Sequence, residues 1–369
     1  MRTLGLALAL LVTLAGCSST TSPPGLLPEV RHDTIGHVFV IVLENEDYAA
    51  TFANPPPSPY LATNLTQMGR LLSQYYGIGH ASLGNYIAMV SGQAPNAETQ
   101  ADCPYFTDFV GSLAPDGQAI GQGCVYPAAV KTLADQLEAA GRTWRLYAQD
   151  MANGTRQPAT CRHPAVGAQE NSGGGQSERD QYATRHNPFV YFHSIIDDQA
   201  RCDAHLVDLS LLQGDLARVG TTPELAFIVP DVCSDGHDAR CANPRQRGEY
   251  DGIDDFLRAW VPRLVASPAY QQDGLVIVTF DEAEQGSPDA CCEEPTGYNT
   301  PRPGITGPGG GRTGTILLAP CLGAGTADAT PHNHYSLLRT LEDLWRLPHL
   351  GYAGQAGLAP ISLSPCHGA

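Results

Sequence analysis

Residues 37–43 read HVFVIVL, a run in which six of seven residues are apolar and which ends at the polar pair Glu44-Asn45. Such a run is typical of a strand buried on both faces, as in a parallel sheet. Similar runs recur at 143–147, 225–229, 275–280 and 315–318, and stretches of helical spacing occur at 83–90, 128–140, 253–265 and 335–347. The alternation predicts an α/β fold with a parallel sheet and helices on both faces.

Polar clusters follow three of the predicted strands directly, at 44–45, 231–237 and 281–282. In open α/β sheets the binding crevice lies outside the carboxyl ends of the strands. We therefore expect these residues, although distant in sequence, to converge at one edge of the sheet.

The segment GHASLGNYIAMVSG, residues 79–92, places Ser82 where an apolar helix begins. A serine in this position can cap the helix by accepting a bond from an N–H of the first turn. It can also present its hydroxyl where backbone N–H groups and the helix dipole favour an anion. The segment alone favours the structural cap over the nucleophile, and the two roles are compatible.

The first residues predict export. Arg2 precedes an apolar run, 4–14, that is too short to span a bilayer and ends in LAGC at Cys17. This ending resembles a bacterial lipobox, which implies a signal peptide over 1–16 and lipidation of Cys17; the alternative is an ordinary secretory signal with a chance cysteine. Residues 17–35 then form a predicted flexible, lipid-anchored tether, followed by one domain, 36–369.

Cysteine usage agrees with an exported chain. The sequence has 11 cysteines, and setting Cys17 aside leaves ten. An even number in an oxidising compartment predicts up to five disulfides. Cys291 and Cys292 are adjacent, and we expect them to bond to different partners. No pair has CxxC spacing, which disfavours a cysteine zinc site.

The charge balance limits the partners. The chain carries 38 acidic and 21 basic side chains, a formal charge of −17. This disfavours nucleic-acid binding, which requires clustered Lys and Arg. It also gives an anionic substrate no long-range attraction, so a bound metal ion or another local positive charge is needed.

Oxygen-bearing side chains at the predicted strand and helix ends could bind a hard divalent cation. They are Glu44, Asn45, Ser82, Asp281 and Glu282. Each carboxylate alone is better explained by a loop cap or a solvated turn, and it is their shared location that favours a metal site. A metal next to Ser82 would favour its alkoxide, which is the activation that a hydroxyl nucleophile requires.

Six segments in order resemble the acid phosphatase–phospholipase C phosphoesterases of the alkaline phosphatase superfamily. They are VIVLENEDY, HASLGNY, RHNPFVYF, IVPDVCSDGHD, VIVTFDE and NHYSLLRTLEDLWRLP. The resemblance extends over residues 37–351 and is greatest to the secreted acid phosphatases. It implies an alkaline-phosphatase-like three-layer α/β sandwich with a mostly parallel central sheet.

The resemblance also implies roles for individual residues. Ser82 corresponds to the family's nucleophile, while Glu44, Asn45, Asp281 and Glu282 correspond to ligands of one divalent metal ion. The implied catalytic histidines are His186 of His-x-Pro, His237 of the segment that also holds Asp235 and Asp238, and His334, with His332 able to exchange with His334. We expect one or more of them to act as imidazolium. His80 and Asn85 are candidates for binding the substrate.

These features predict an exported phosphomonoesterase that works through a phosphoserine, on the outer face of the membrane or partly released. The predicted partners are a phosphate ester or a phospholipid head group and, through the lipid anchor, a membrane. A phospholipase C acting on diesters and a non-catalytic surface lipoprotein are alternatives. The absence of a CxPxR-type signature disfavours a sulfatase.

Overall fold

A computed structural model describes residues 34–152, 159–172, 180–284 and 286–368, with side chains as far as residue 366. The predicted signal peptide and the predicted lipidation site, Cys17, lie outside these residues. So does the predicted tether, except for its last two residues, which form a short strand, Thr34–Ile35. The described residues fall within one compact unit, Arg31–Ala369.

The strands, numbered in chain order over the described residues, are mostly short. They are β1 Thr34–Ile35, β2 His37–Leu43, β3 Arg70–Leu72, β4 Tyr75–Tyr76, β5 Val110–Leu113, β6 Ala119–Gln122, β7 Trp144–Ala148, β8 Leu206–Asp208, β9 Leu225–Val229, β10 Gly274–Phe280, β11 Thr315–Leu318, β12 Thr326–Asp328, β13 His332–Asn333 and β14 His367–Gly368.

The α-helices of the same residues vary from one turn to nearly five. They are α1 Tyr48–Thr51, α2 Thr66–Met68, α3 Ser82–Ser91, α4 Leu133–Ala139, α5 His193–Ile196, α6 Gln199–His205, α7 Leu212–Asp215, α8 Glu249–Val265, α9 Pro268–Asp273 and α10 His334–Trp345. A π-helical segment covers Tyr60–Leu65. Within the described ranges no helix is long and apolar enough to cross a membrane.

The main sheet has the strand order β12-β3-β11-β10-β2-β9-β7-β8. The pairs β10–β2, β2–β9, β9–β7, β7–β8 and β12–β3 are parallel. Among the described strands of this sheet, β11 makes the two antiparallel pairs, with β10 and with β3. The predicted, mostly parallel sheet is therefore confirmed.

Alternate residues of β2 enter two separate hydrophobic cores. Val38, Val40 and Val42 pack in one core, which also contains residues of α3, α4 and α10. Phe39, Ile41 and Leu43 pack in the other core, with residues of α8 and α9. Because successive side chains of a strand point to opposite faces, this division places helices on both faces of the sheet. The three-layer arrangement is confirmed.

Several boundaries differ from the prediction for identifiable reasons. The helix predicted over 128–140 begins at Leu133, because Thr132 caps it and forms a reciprocal capping box with Asp135. The strands β3, β8 and β12 were not predicted. Each has three residues, which is too short for a periodic pattern to show.

All ten cysteines after Cys17 are paired, as predicted for an oxidised framework. The disulfides are Cys103–Cys124, Cys161–Cys202, Cys233–Cys241, Cys291–Cys292 and Cys321–Cys366. The expectation that Cys291 and Cys292 bond to different partners is wrong. The other eight cysteines pair among themselves, which leaves these two neighbours to form a disulfide with each other.

Candidate active site

The three polar clusters predicted at strand ends meet at the carboxyl edge of the sheet. Leu43 and Phe280 are in register in the pair β2–β10, so Glu44 and Asp281 follow side by side. The backbone N–H of Asn45 donates to Asp281 Oδ1 at 3.2 Å. The Glu44 N–H donates to the carbonyl of Asp235 at 2.9 Å, which brings the loop after β9 to the same point.

Ser82 is the first residue of α3 and not its cap. The cap position belongs to Ala81, which makes no side-chain hydrogen bond to the helix. The Ser82 hydroxyl instead donates to Glu44 Oε2 at 2.7 Å. The predicted capping role of Ser82 is therefore wrong, because the turn before the helix directs the hydroxyl to a carboxylate.

The turn that precedes Ser82 is strained. Ala81 has φ +75°, in the left-handed region that residues with a Cβ rarely adopt. Asn85 holds this turn, since its Oδ1 accepts the N–H groups of Ile78 and Gly79 at 2.8 and 3.0 Å. Its amide donates to the Gly79 carbonyl at 2.9 Å. Asn85 is thus buried and shapes the turn, and its predicted contact with substrate stays a prediction.

Glu44 is the centre of a buried cluster. Tyr86 donates its hydroxyl to Glu44 Oε1 at 2.6 Å, and His186 Nε2 lies 3.5 Å from Glu44 Oε2. On its other side, His186 Nδ1 lies 3.1 Å from Asp235 Oδ2. The rings of Tyr86 and His186 stack with centroids 5.3 Å apart. Ligand atoms of Glu44, His186 and Asp235 all lie within 4.8 Å of one another.

His237 lies at the outer side of this cluster, with its side chain 30% exposed. Its Nδ1 lies 2.8 Å from Asp238 Oδ1, and its Nε2 lies 3.1 Å from Nη2 of Arg185. Because the guanidinium can only donate, Nε2 accepts and Nδ1 carries the proton given to Asp238.

The other predicted histidines are engaged by the protein. His334 is buried, accepts from the Tyr75 hydroxyl at 3.1 Å, and donates Nε2–H to the carbonyl of Asp281. His80 Nδ1 lies 3.0 Å from Glu282 Oε2. His332 is also buried, in β13, where the charge of Asp328 acts on it. Its exchange of roles with His334 stays a prediction.

Burial dominates the electrostatics of the site. It raises the pKa of Glu44, Asp235, Asp281 and Glu282, and the charge of Glu44 raises the pKa of the other three further. Burial lowers the pKa of His186 well below its usual range and that of His334 to about 4. It also lowers the pKa of His80. Burial thus disfavours imidazolium at His186 and His334, and the expectation that one or more of the three histidines is charged stays a prediction.

The donor set fits a divalent cation. Among the described residues, Asn45 Oδ1, Asp281 Oδ2 and Asp235 Oδ2 are buried side-chain oxygens without a hydrogen-bond partner. Leaving such atoms unsatisfied is costly, and a cation would satisfy several at once. Carboxylate and amide oxygens with an imidazole are ligands that suit Mg²⁺, Mn²⁺, Ca²⁺ or, with the histidine, Zn²⁺.

A cavity of about 430 Å³ opens beside the cluster, and the Ser82 side chain is on its wall. Its other walls include Asn45, Asp102, His237, Glu282 and Glu284. The predicted nucleophile and three of its predicted neighbours therefore share one opening, while His186, His334 and Asn85 are buried around it.

Three residues at the site were not singled out from the sequence: Tyr86, Asp102 and Arg185. Asp102 accepts the N–H of Leu83 at 3.0 Å, so its carboxylate occupies the anion-favouring N-terminus of α3. Position beside a motif residue was the available signal for two of them, since Arg185 precedes His186 and Tyr86 follows Asn85. Asp102 lies in a loop, where no periodic pattern marks it.

The chain is similar in sequence to one protein family and to several curated proteins. A family model described as the phosphoesterase family matches residues 53–348. A probable acid phosphatase of Kluyveromyces lactis is 26% identical over 94% of the chain and 67% of its own length. A phosphate-repressible acid phosphatase of Penicillium chrysogenum is 27% identical over 84% of the chain and 59% of its own length. The chain thus spans about two thirds of these fungal proteins.

A phosphatidylinositol-3-phosphatase of Mycobacterium tuberculosis is 25% identical over 95% of the chain and 91% of its own length. Among solved structures, a Vibrio parahaemolyticus protein of the alkaline phosphatase superfamily is similar at a TM-score of 0.45 and 13% identity, over 85% of this chain and 67% of that one. Murine ectonucleotide pyrophosphatase/phosphodiesterase 5 is similar at a TM-score of 0.46 and 11% identity, over 85% and 96%.

Proposed function

Because the chain belongs to the phosphoesterase family, we propose that it is a metal-dependent phosphatase that hydrolyses phosphomonoesters through a phosphoserine at Ser82. The observation that carries this is the hydroxyl of Ser82, which lines an open cavity and donates to Glu44 Oε2 at 2.7 Å. A serine hydroxyl needs such an acceptor, or a neighbouring cation, to become a nucleophile.

We propose one divalent ion, held by Glu44, Asn45, Ser82, Asp281 and Glu282. The unsatisfied buried oxygens of Asn45 and Asp281 support this ligand set. When bound, such an ion lowers the pKa of a hydroxyl beside it and offsets the charge of a phosphoryl group. The group formed by Glu44, His186 and Asp235 supports an alternative in which His186 is a ligand rather than a catalytic group.

This chain's own residues have separable roles in the proposed reaction. Glu44 accepts the Ser82 proton, and Tyr86 holds Glu44 by donating to its other oxygen at 2.6 Å. His237 is the histidine that we assign to protonation of the leaving alcohol, since it lines the cavity, whereas His186 and His334 are buried. For His237 to donate from Nε2, its bond with Arg185 must open.

Two substrate classes fit this proposal. The fungal relatives are named acid phosphatases, which supports small phosphomonoesters. The mycobacterial relative is named for a phosphoinositide and matches almost end to end, which supports a phosphorylated lipid head group. Cleavage of a diester, as by a phospholipase C, and a non-catalytic surface role remain the competing proposals.

We also propose that the protein is exported and held at the outer face of the membrane through lipid on Cys17. Five disulfides support an oxidising compartment. The test is Cys17→Ser, which should move the protein from the membrane fraction to the soluble fraction. A variant that stays with the membrane would contradict the lipidation.

The function is tested by assaying the purified protein on a phosphomonoester, a phosphodiester and a phosphoinositide, each with and without a chelator. We expect the monoester or the phosphoinositide to be hydrolysed and the chelator to stop both. Faster hydrolysis of the diester would favour the phospholipase C alternative. Failure on all three, in protein that retains metal, would favour the non-catalytic role.

A further inference from the structure

A second cavity, of about 350 Å³, is lined by the long loop between β10 and β11. Among the described residues, none of those on its walls also lines the cavity beside Ser82. Its walls are mostly apolar, and they include one disulfide and four prolines: Cys291–Cys292, Pro295, Pro301, Pro303 and Pro308. Because such groups have little conformational freedom to lose, they can hold an aliphatic ligand at low entropic cost.

Glu294 supplies a buried polar group on the wall of this cavity. Its Oε2 accepts the side-chain N–H of Asn333, the residue that caps α10, at 2.7 Å. Its Oε1 is buried and has no hydrogen-bond partner among the described residues. The bond with Asn333 thus accounts for one oxygen of the carboxyl group. The other oxygen is left unsatisfied, which is costly in a buried position.

The charges around Glu294 favour a cationic ligand. Burial raises the pKa of Glu294 to about 8, against the opposing effect of the bond from Asn333. The described residues on the cavity walls also include Glu293, and they include no lysine, arginine or histidine. The formal charge of the whole chain, −17, attracts cations as well. An anionic ligand would meet two carboxyl groups here and no positive side chain.

An ammonium group fits these walls better than a metal ion does. Hard divalent cations take about six or more oxygen ligands, whereas three of the described residues on the walls have a side-chain oxygen. Elsewhere in the described structure, Glu44, His186 and Asp235 form a group that could hold a metal ion, and Glu294 is not part of it. A primary ammonium group has three N–H donors and no acceptor, and its aliphatic stem would contact the prolines and the disulfide.

We propose that this cavity binds the primary ammonium group of a short aliphatic amine, with Glu294 Oε1 as the acceptor of one of its N–H groups. The proposal goes beyond the phosphatase function, since it requires neither Ser82 nor a metal ion. The site is nevertheless next to the turn that carries Ser82. Pro303 lines the cavity, and its carbonyl accepts the N–H of His80 at 3.0 Å. A bound amine would therefore contact a loop that supports this turn.

The experiment uses n-butylamine as the probe and 1-butanol as its uncharged counterpart. Binding to wild type, Glu294→Gln and Glu293→Gln is measured by calorimetric titration. We choose about pH 8.5, above the pKa of Glu294 and below that of an alkylammonium group, which is about 10.4 as for lysine. The two variants have the same net charge, and Glu293 is an exposed residue of the same wall. Glu293→Gln is therefore the matched control.

We expect wild type to bind butylamine with a Kd of about 1 mM or below, which is within reach of a ligand of this size, and butanol at least about tenfold more weakly. Glu294→Gln should weaken binding of the amine by about 10–100-fold, the usual cost of losing a hydrogen bond to a charged group. Its amide oxygen can still accept from Asn333. Glu293→Gln should stay within about threefold of wild type, because an exposed carboxylate contributes little.

Absence of butylamine binding to wild type would overturn the proposal. Equal binding of butanol would also overturn it and show an apolar cavity only, and equal weakening in the two variants would show a general effect of net charge. If Glu294→Gln does not fold, Glu294→Asp, which retracts the carboxylate by one methylene, should weaken binding at least about tenfold instead. Wild-type protein that binds butylamine but hydrolyses no phosphate ester would contradict the proposed function alone.

Discussion

The two ends of the strand pair β2–β10 differ in how their charged side chains are paired. At the amino end, His37 is opposite Gly274, and its Nδ1 lies 2.5 Å from Asp273 Oδ1. At the carboxyl end, Glu44 accepts hydrogen bonds from neutral hydroxyls of Ser82 and Tyr86, and Asp281 Oδ2 has no hydrogen-bond partner among the described residues. Each strand is seven residues long. The two strands thus connect an end where the carboxyl group is ion-paired to an end where several buried carboxyl groups lie together.

The difference shows which end is built for binding. Buried carboxyl groups raise one another's pKa and cost folding free energy unless a cation joins them. Pairs such as His37–Asp273 and Arg142–Glu224 avoid that cost. The carboxyl end retains this cost in folding free energy, which is expected where a metal ion and a phosphoryl group are to be bound.

The largest expected effect is at the proposed nucleophile. Ser82→Ala should lower kcat by about 10⁴-fold or more, the order seen when a covalent nucleophile is removed, and should abolish any phosphoenzyme trapped by acid quench. His37→Gln, at the amino end of β2, is the control and should keep kcat within about threefold of wild type. A trapped phosphoenzyme in the alanine variant would contradict the role of Ser82.

A second experiment compares the two aspartates that flank β10. Asp281→Asn should remove bound metal and turnover together, because it takes a charged oxygen from the proposed ligand set. Asp273→Asn, at the other end of the same strand, should leave the metal content unchanged. Metal content can be measured by elemental analysis after dialysis. Full activity after exhaustive chelation would contradict the metal site altogether.

The next effect concerns the histidine on the cavity wall. His237→Ala should lower kcat by about 10²–10⁴-fold, the range for loss of acid–base help, with metal content intact. The phosphatase rate of the wild type should be greatest below neutral pH, and the variant should lose this pH dependence. His349→Ala, at a surface pair with Asp343, is the control. An optimum above about pH 8 would instead favour histidines as metal ligands.

The smallest effect tests the cost of a buried carboxyl away from the site. Burial raises the pKa of Glu342, on α10, to about 8. Between its unfolded pKa and this value the folded protein binds the proton more tightly, so stability falls as pH rises through that interval. Glu342→Gln resembles the protonated form and can still accept the Leu350 N–H.

The free energy of unfolding, measured with urea at pH 5 and at pH 8, should therefore favour the glutamine variant increasingly at the higher pH. One pKa unit corresponds to about 1.4 kcal/mol, so a gain of a few kcal/mol is expected at pH 8. Asp343→Asn, an exposed neighbour on the same helix, should show no such change. An identical pH dependence in Glu342→Gln and wild type would show that burial does not retain the proton.

The parts of the structure that follow regular patterns were predictable. The run HVFVIVL forms β2 over the predicted residues, and the sequence resemblance is confirmed by the match to the phosphoesterase family. The convergence of Glu44, Asp235 and Asp281 followed from the rule that carboxyl ends of parallel strands meet. Short strands such as β3, which lies between β12 and β11, were not predicted, because their pairing depends on neighbours distant in sequence.

The remaining surprises depend on contacts that no local pattern encodes. The positive φ of Ala81 turns the Ser82 hydroxyl toward Glu44, although the sequence favoured a cap. Arg185 reaches His237 across 52 positions. The disulfide between Cys291 and Cys292 depends on how the other eight cysteines pair, which their spacing in the sequence does not indicate.

The pairing of β1 with β14 determines how the enzyme can be attached to a surface. Thr34 is opposite His367, so the two ends of the described fold lie together, directly before β2 begins. Seven strand residues, at roughly 3.3 Å each, then separate that point from Glu44. A bead, a tag or an acyl chain linked through either of these strands would therefore attach to the domain at the end of β2 opposite Glu44 and Ser82.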